Sequence, residues 1–169
     1  MHIEFEKYNT DVFLKEMMIF LKQYNNKPYY DYFLSQNPNI TWEFITANPN
    51  ISWDYSELCF NPNITWDIVQ QNPDKQWSYM SLSLNPNITW GIVQNNPDKN
   101  WYYVFLSRNI NITFEIVQNN LDKLWNYSVL SRNPNITWNI IQAHPEIEWN
   151  YSQLSLNPNI TWDIVQANS

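Results

Sequence analysis

From residue 37 onward the chain alternates short apolar stretches with asparagine-proline corners, and the alternation is strictly periodic. The string Asn-Pro-Asn-Ile-Thr-Trp, or a close variant of it, begins at Asn37, Asn61, Asn85, Asn109, Asn133 and Asn157, a spacing of 24 residues with no insertion. A constant period of this size is the mark of stacked supersecondary units. Each copy divides into an 11-residue half of this wording and a 13-residue half worded like Asn72-Pro73-Asp74-Lys75-Gln76-Trp77. Asn48 to Trp53 is intermediate, opening a long half with the wording of a short one.

The apolar positions keep the same register. All ten tryptophans fall on the sixth position of a half-repeat, and the one remaining half-repeat has Phe114 there. Position eight is Phe44, Ile68, Ile92, Ile116, Ile140 or Ile164 in short halves and Tyr55, Tyr79, Tyr103, Tyr127 or Tyr151 in long ones. Leu58, Leu82, Leu106, Leu130 and Leu154 follow each tyrosine by three residues, the face of a short helix.

In the short half the threonine can cap a helix whose first turn holds the tryptophan and often an acid such as Asp67. The next Asn-Pro ends it, with the asparagine expected in the left-handed conformation and the proline unable to continue the helix. Each repeat is therefore predicted to be two helices of two to three turns, α or 3₁₀, joined by Asn-Pro corners. Strands are disfavoured, because a proline at nearly every unit start would break a ladder. The fold predicted is an all-α solenoid. One repeat buries too little surface to offset its ordering entropy, so stability must come from its neighbours. Tryptophans in that stack either form its core or face solvent as a binding surface.

Residues 1–36 are expected to form an N-terminal capping helix, over Thr10 to Gln23, and a degenerate half-repeat. Residues 37–169 hold five and a half repeats as one continuous solenoid. The final short half is followed by no polar cap, so it either closes the stack itself or pairs with a second copy as a homodimer.

Composition narrows the function. Trp 10, Tyr 11 and Phe 8 against a single glycine fit one packed motif copied many times, and asparagine reaches 27. The net charge of −7 argues against nucleic acid or an anionic membrane as partner, since either would demand a basic stripe. No long apolar run and no signal peptide is present, which predicts a soluble intracellular protein. Cys59, the only cysteine, sits between Leu58 and Phe60 and reads as a small buried hydrophobe. No glycine-rich phosphate loop, nucleophile elbow or paired His or carboxylate motif is found, so no enzyme, cofactor or metal is expected.

Two groups of residues are candidates for a partner surface. The fourth repeat is irregular, with Ile110 and Leu121 in proline positions, Phe114 for Trp and Leu124 at a polar position, and Tyr102 and Phe105 stand nearby. Tyr102, Phe105, Leu121 and Leu124 thus form either drift in a redundant array or an apolar contact patch. Glu43, Asp67, Glu115 and Asp163 share one repeat position and form either separate helix-dipole partners or an acidic stripe. Lys75, Lys99 and Lys123 recur beside Asp74, Asp98 and Asp122, as a charged ladder or as self-compensating corners. Seven Asn-Ile-Thr/Ser triplets are formal glycosylation sites that the repeat itself explains. The asparagine at position one, replaced only by His144, is expected to bond the neighbouring corner.

The motif N-P-N-I-T-W-x-I-V-Q-x-N-P-D-K-x-W, seen in Asn61 to Trp77 and Asn85 to Trp101, resembles asparagine-rich repeat proteins of giant viruses of amoebae over residues 37–169. That resemblance implies a viral protein in host cytoplasm and no assigned activity. A looser one, to bacterial leucine-rich variant repeats, implies an α-helix paired with a 3₁₀ helix; here Trp and Tyr replace their Leu and Val. The function expected is a non-enzymatic scaffold binding another, unidentified protein. The alternatives are a self-assembling component using the C-terminal face, and a ligand-binding protein using the aromatic rows as a sugar platform.

Overall fold

The computed structural model describes Val12, Lys15, Glu16, Ile19 and residues 30–168. Those four isolated residues are helical, and the rest of the predicted capping helix lies outside the described residues. The described chain is all-α, with twelve short helices and no strand. It separates into two compact units, Met1–Trp77 and Ser78–Ser169, built from the same repeat.

Unit 1 contains α1 (Tyr30–Gln36), α2 (Trp42–Ala47), α3 (Tyr55–Leu58) and α4 (Trp66–Gln71). Unit 2 contains α5 (Tyr79–Leu82), α6 (Trp90–Asn95), α7 (Tyr103–Leu106), α8 (Phe114–Gln118), α9 (Tyr127–Leu130), α10 (Trp138–Ala143), α11 (Tyr151–Leu154) and α12 (Trp162–Ala167). Both halves of a repeat are α-helical, and both are shorter than predicted. Five or six residues from a short half and four from a long half are one to two turns. The long half loses its first residues to a turn, with Lys75 N–H bonding Asn72 O and Trp77 N–H bonding Lys75 O.

Every short-half helix starts at a threonine whose Oγ1 accepts the backbone N–H three residues on, as Thr89 does from Ile92. The acids of the first turn, Glu43, Asp67, Glu115 and Asp163, sit where free amide groups favour negative charge. Glu43 shows the consequence: its own backbone N–H, then Thr41, hold its carboxyl below the ordinary value.

The helix ends correct the sequence reading. No described residue other than glycine has a positive φ. At Asn72 the backbone is at φ −128°, ψ 59°, and its side-chain amide turns back to donate to Ile68 O at 2.8 Å. Asn48, Asn96 and Asn120 repeat the bond onto Phe44 O, Ile92 O and Ile116 O. An amide side chain reaching the carbonyl four residues back satisfies a group that a left-handed residue would otherwise have satisfied. The asparagine carbonyl then accepts the indole N–H five residues on, as from Trp77 at 2.8 Å.

The core is aliphatic. It consists of the fourth-position isoleucines (Ile40, Ile64, Ile88, Ile112, Ile136), the ninth-position Val69, Val93 and Val117 with Ile45 and Ile141, and the long-half leucines. Most tryptophans and position-eight side chains are half-buried outside it. Repeats are joined through buried asparagines that open the short halves. In unit 2 the Asn109 Nδ2 donates to Ser83 O, Asn85 O and Ile88 O of the preceding repeat at 3.0, 3.0 and 3.3 Å. Asn61 does the same in unit 1 with Ser35 O, Asn37 O and Ile40 O. Position-one asparagines therefore divide: those opening short halves bond the neighbouring corner, and those opening long halves bond their own helix. Buried serines add a second link, since Ser107 Oγ donates to Tyr103 O and accepts Asn126 N–H.

Candidate functional site

The aromatic side chains that the core does not take up line one recurring hollow. In unit 1 a cavity of about 510 Å³ is walled by Trp42, Trp53 and Tyr55 and rimmed by Pro49, Asn72 and Lys75. In unit 2 a cavity of about 480 Å³ is walled by Trp90, Trp101 and Tyr103 and rimmed by Pro97, Asn120 and Lys123. All ten lining positions of one coincide with the ten of the other after a shift of two repeats. A further hollow of about 620 Å³ in unit 1 shares Trp53, Tyr55 and Lys75.

The fold builds this hollow locally. The short-half tryptophan is the first residue of its helix, while the long-half tryptophan lies in the turn before its own. The latter is pinned by its indole N–H, as Trp101 is to Asn96 O at 2.8 Å. The indole N–H of Trp90 has no acceptor among the described residues. Ring contacts tie successive repeats, with centroids 5.5 Å apart for Trp90 and Trp125 and 5.2 Å for Tyr103 and Trp125. Every printed pair of contacting rings is inclined, from 43° at Trp42 and Trp77 to 87° at Tyr79 and Trp101.

Lysine supplies the charge at the rim. Lys75 and Lys123 meet the adjacent Asp74 and Asp122 at 2.8 and 2.9 Å. Lys75 Nζ also lies 5.7 Å from the centre of the Tyr55 ring, and Lys99 Nζ 5.5 Å from that of Tyr79. These hydrogen bonds raise the lysines above their ordinary value and hold Asp74, Asp98 and Asp122 below theirs. The lysines stay charged across the physiological range.

The next hollow along unit 2 is filled. There Phe114 replaces Trp and is buried, and His144 stands where Asn120 would. The His144 ring packs on Phe114 with centroids 4.7 Å apart, with Nδ1 2.9 Å from Glu146 Oε1 and Nε2 3.4 Å from Gln118 Nε2. Its rim carries Leu121 and Leu124, 70% and 82% exposed, in the places of Pro97 and Asn100.

The sequence candidates are placed as follows. Leu121 and Leu124 lie on one corner and edge this aromatic face. Tyr102 and Phe105 pack edge-on against each other at 4.9 Å, and Tyr102 occupies the N-cap of α7 without a side-chain cap bond. Glu43, Asp67, Glu115 and Asp163 are exposed, and in unit 2 Asn139 stands between Glu115 and Asp163. The hollow itself escaped the sequence reading, although its tryptophans and lysines were both noticed. Their shared period was the available signal. Five sequon asparagines are committed to structure where their bonds are described: Asn63, Asn111, Asn135 and Asn159 each donate Nδ2 to two carbonyls of the preceding repeat, and Asn87 is likewise engaged.

Among the described residues no group of His, Cys, Asp and Glu could hold a metal ion, and no helix is long and apolar enough to cross a membrane. No protein-family model matches the chain, and no characterised protein or solved structure matches it either. The class of protein defined by these coordinates is a helical tandem-repeat solenoid.

Proposed function

We propose that the chain is a non-enzymatic repeat scaffold that binds another protein through the face carrying the aromatic hollows. One observation carries this reading: the same ten positions enclose a cavity in each unit, two repeats apart. Side chains needed only for packing have no reason to leave equivalent space open twice. Aromatic walls with a charged rim also match the residue types that dominate protein interfaces. The resemblance of the motif to giant-virus repeats supports the cytoplasm of an infected host cell as the setting.

The test uses a chain in which the hollows are closed by the plug it already contains. In Asn72→His and Asn120→His the new ring has His144's surroundings, with Asp74 or Asp122 in the place of Glu146. Proteins captured from host extract by the wild type, confirmed with the purified partner, are expected to be lost from the double variant. Capture unaffected by closure, but abolished by Leu121→Ser with Leu124→Ser, would move the surface away from the hollows.

A second reading, self-association, rests on the last described repeat. Tyr151, Leu156, Trp162 and Val165 are exposed there, whereas Trp138 is half-buried and Ile141 buried. Light scattering distinguishes it: a dimer that Trp162→Ser dissolves favours self-association, and a monomer at all concentrations excludes it.

A further inference from the structure

Resting on that reading, we infer that the hollows are subsites for an extended, proline-bearing segment of the partner in the polyproline II conformation. Three properties of the site select this ligand. The first is ring geometry. With no printed ring pair closer to parallel than 43°, the aromatic faces make inclined clefts that admit a wedge-shaped pyrrolidine ring. They do not make the flat row on which successive sugar rings stack.

The second is hydrogen-bonding sense. In unit 2 the hollow is lined by Lys99 and Lys123, which can only donate, and by the Trp90 indole N–H, which has no acceptor among the described residues. The nearby carboxylates, Asp98 and Asp122, are taken by those lysines at 2.9 Å. Such a site suits a ligand that offers acceptors and few donors. A proline-rich backbone does so, because its carbonyls are free and proline has no N–H. The same two ammonium groups disfavour a cationic ligand, so the aromatic walls are not a cage for a quaternary ammonium.

The third is spacing. Packed helices lie about 8–10 Å apart, and three polyproline II residues advance about 9.3 Å. A segment with one proline in the Trp90 hollow therefore carries its residue one turn on to the next corner of unit 2. There Leu121 and Leu124 present apolar surface beside the plugged hollow.

The probe is acetyl-decaproline-amide, titrated into the full chain while the indole N–H resonances are followed by NMR. Saturable shifts at Trp42 and Trp90, with smaller ones at the internally bonded Trp53 and Trp101, are expected. Affinity should fall at least tenfold in the Asn72→His, Asn120→His double variant at unchanged circular dichroism, and the wild-type shifts are decisive should that variant not fold. Absence of saturation, equal affinity for a lysine-flanked decaproline, or chitohexaose shifting the same indoles in its place would each overturn the inference. If decaproline fails while partner capture still depends on the open hollows, only the ligand class falls. If capture is also insensitive to closure, the scaffold reading falls with it.

Discussion

Asparagine carries the specificity of this fold, and its position decides which job it does. The two amide hydrogens of Asn109 serve three carbonyls of the preceding repeat, while its Oδ1 accepts Asn111 N–H at 2.8 Å. The side chain is 1% exposed, so removing it leaves buried carbonyls with no water to replace it. Asn109→Ala should cost about 2 to 4 kcal/mol in urea unfolding, from two or three lost bonds and their desolvation. An exposed asparagine such as Asn139 should change stability by less than about 0.5 kcal/mol on the same replacement. A loss below 1 kcal/mol at Asn109 would mean that the corner is held by the proline turn alone. The bond to a neighbouring corner was legible in the sequence, because only a side chain tied to the repeat interface need recur at position one. Its division into two types was not, because Asn61 and Asn72 open equally worded halves and differ only in what faces them. Tryptophan was misleading for a related reason: its periodicity shows that it packs, but the smaller isoleucines fill the interior and leave the indoles half-covered.

Helix existence was readable from threonine caps and asparagine-proline stops, and helix length was not. A pattern that shows apolar positions six, eight and nine cannot show that the residues before Trp77 form a turn held by Lys75 O. Helices this short gain little from propensity and depend on caps and tertiary packing. That makes Gly91 informative. It is the second residue of α6, where other repeats have Glu43, Asp67 or Glu115. A Cβ built there meets only Thr89 Oγ1, at an ordinary contact distance of 3.8 Å. Gly91→Ala should therefore stabilise the protein by about 0.5 to 1 kcal/mol, through lower chain entropy when unfolded and better helix propensity. Melting temperature checks it, and a decrease would show that the site does not accept a side chain despite the open space.

At the scale of the array, the interface bonds depend on sequence offset and on residue type, and both recur. Asn133 donates to Ser107 O and Asn109 O, and Asn135 to Ile110 O and Ile112 O. Removing residues 109–132 would bring Asn133 to Ser83 O and Asn85 O, the carbonyls Asn109 uses, and Asn135 to Pro86 O and Ile88 O, the carbonyls Asn111 uses. Asn150 N–H, bonded to Ser131 Oγ, would retain that residue as its partner. Every severed link finds a partner of the same kind, so this deletion should fold with unchanged helicity per residue. Stability in such arrays is close to a sum over repeats and their interfaces. At roughly 0.05 to 0.15 kcal/mol per residue, the loss should be about 1 to 4 kcal/mol for one repeat. Removing only 109–120 joins two long halves, deletes the asparagine corner, and should unfold the segment that follows, seen as amide exchange at the unfolded rate beyond the junction. If both deletions behave alike, the asparagine register is not what couples repeats, and the common aliphatic core must couple them instead.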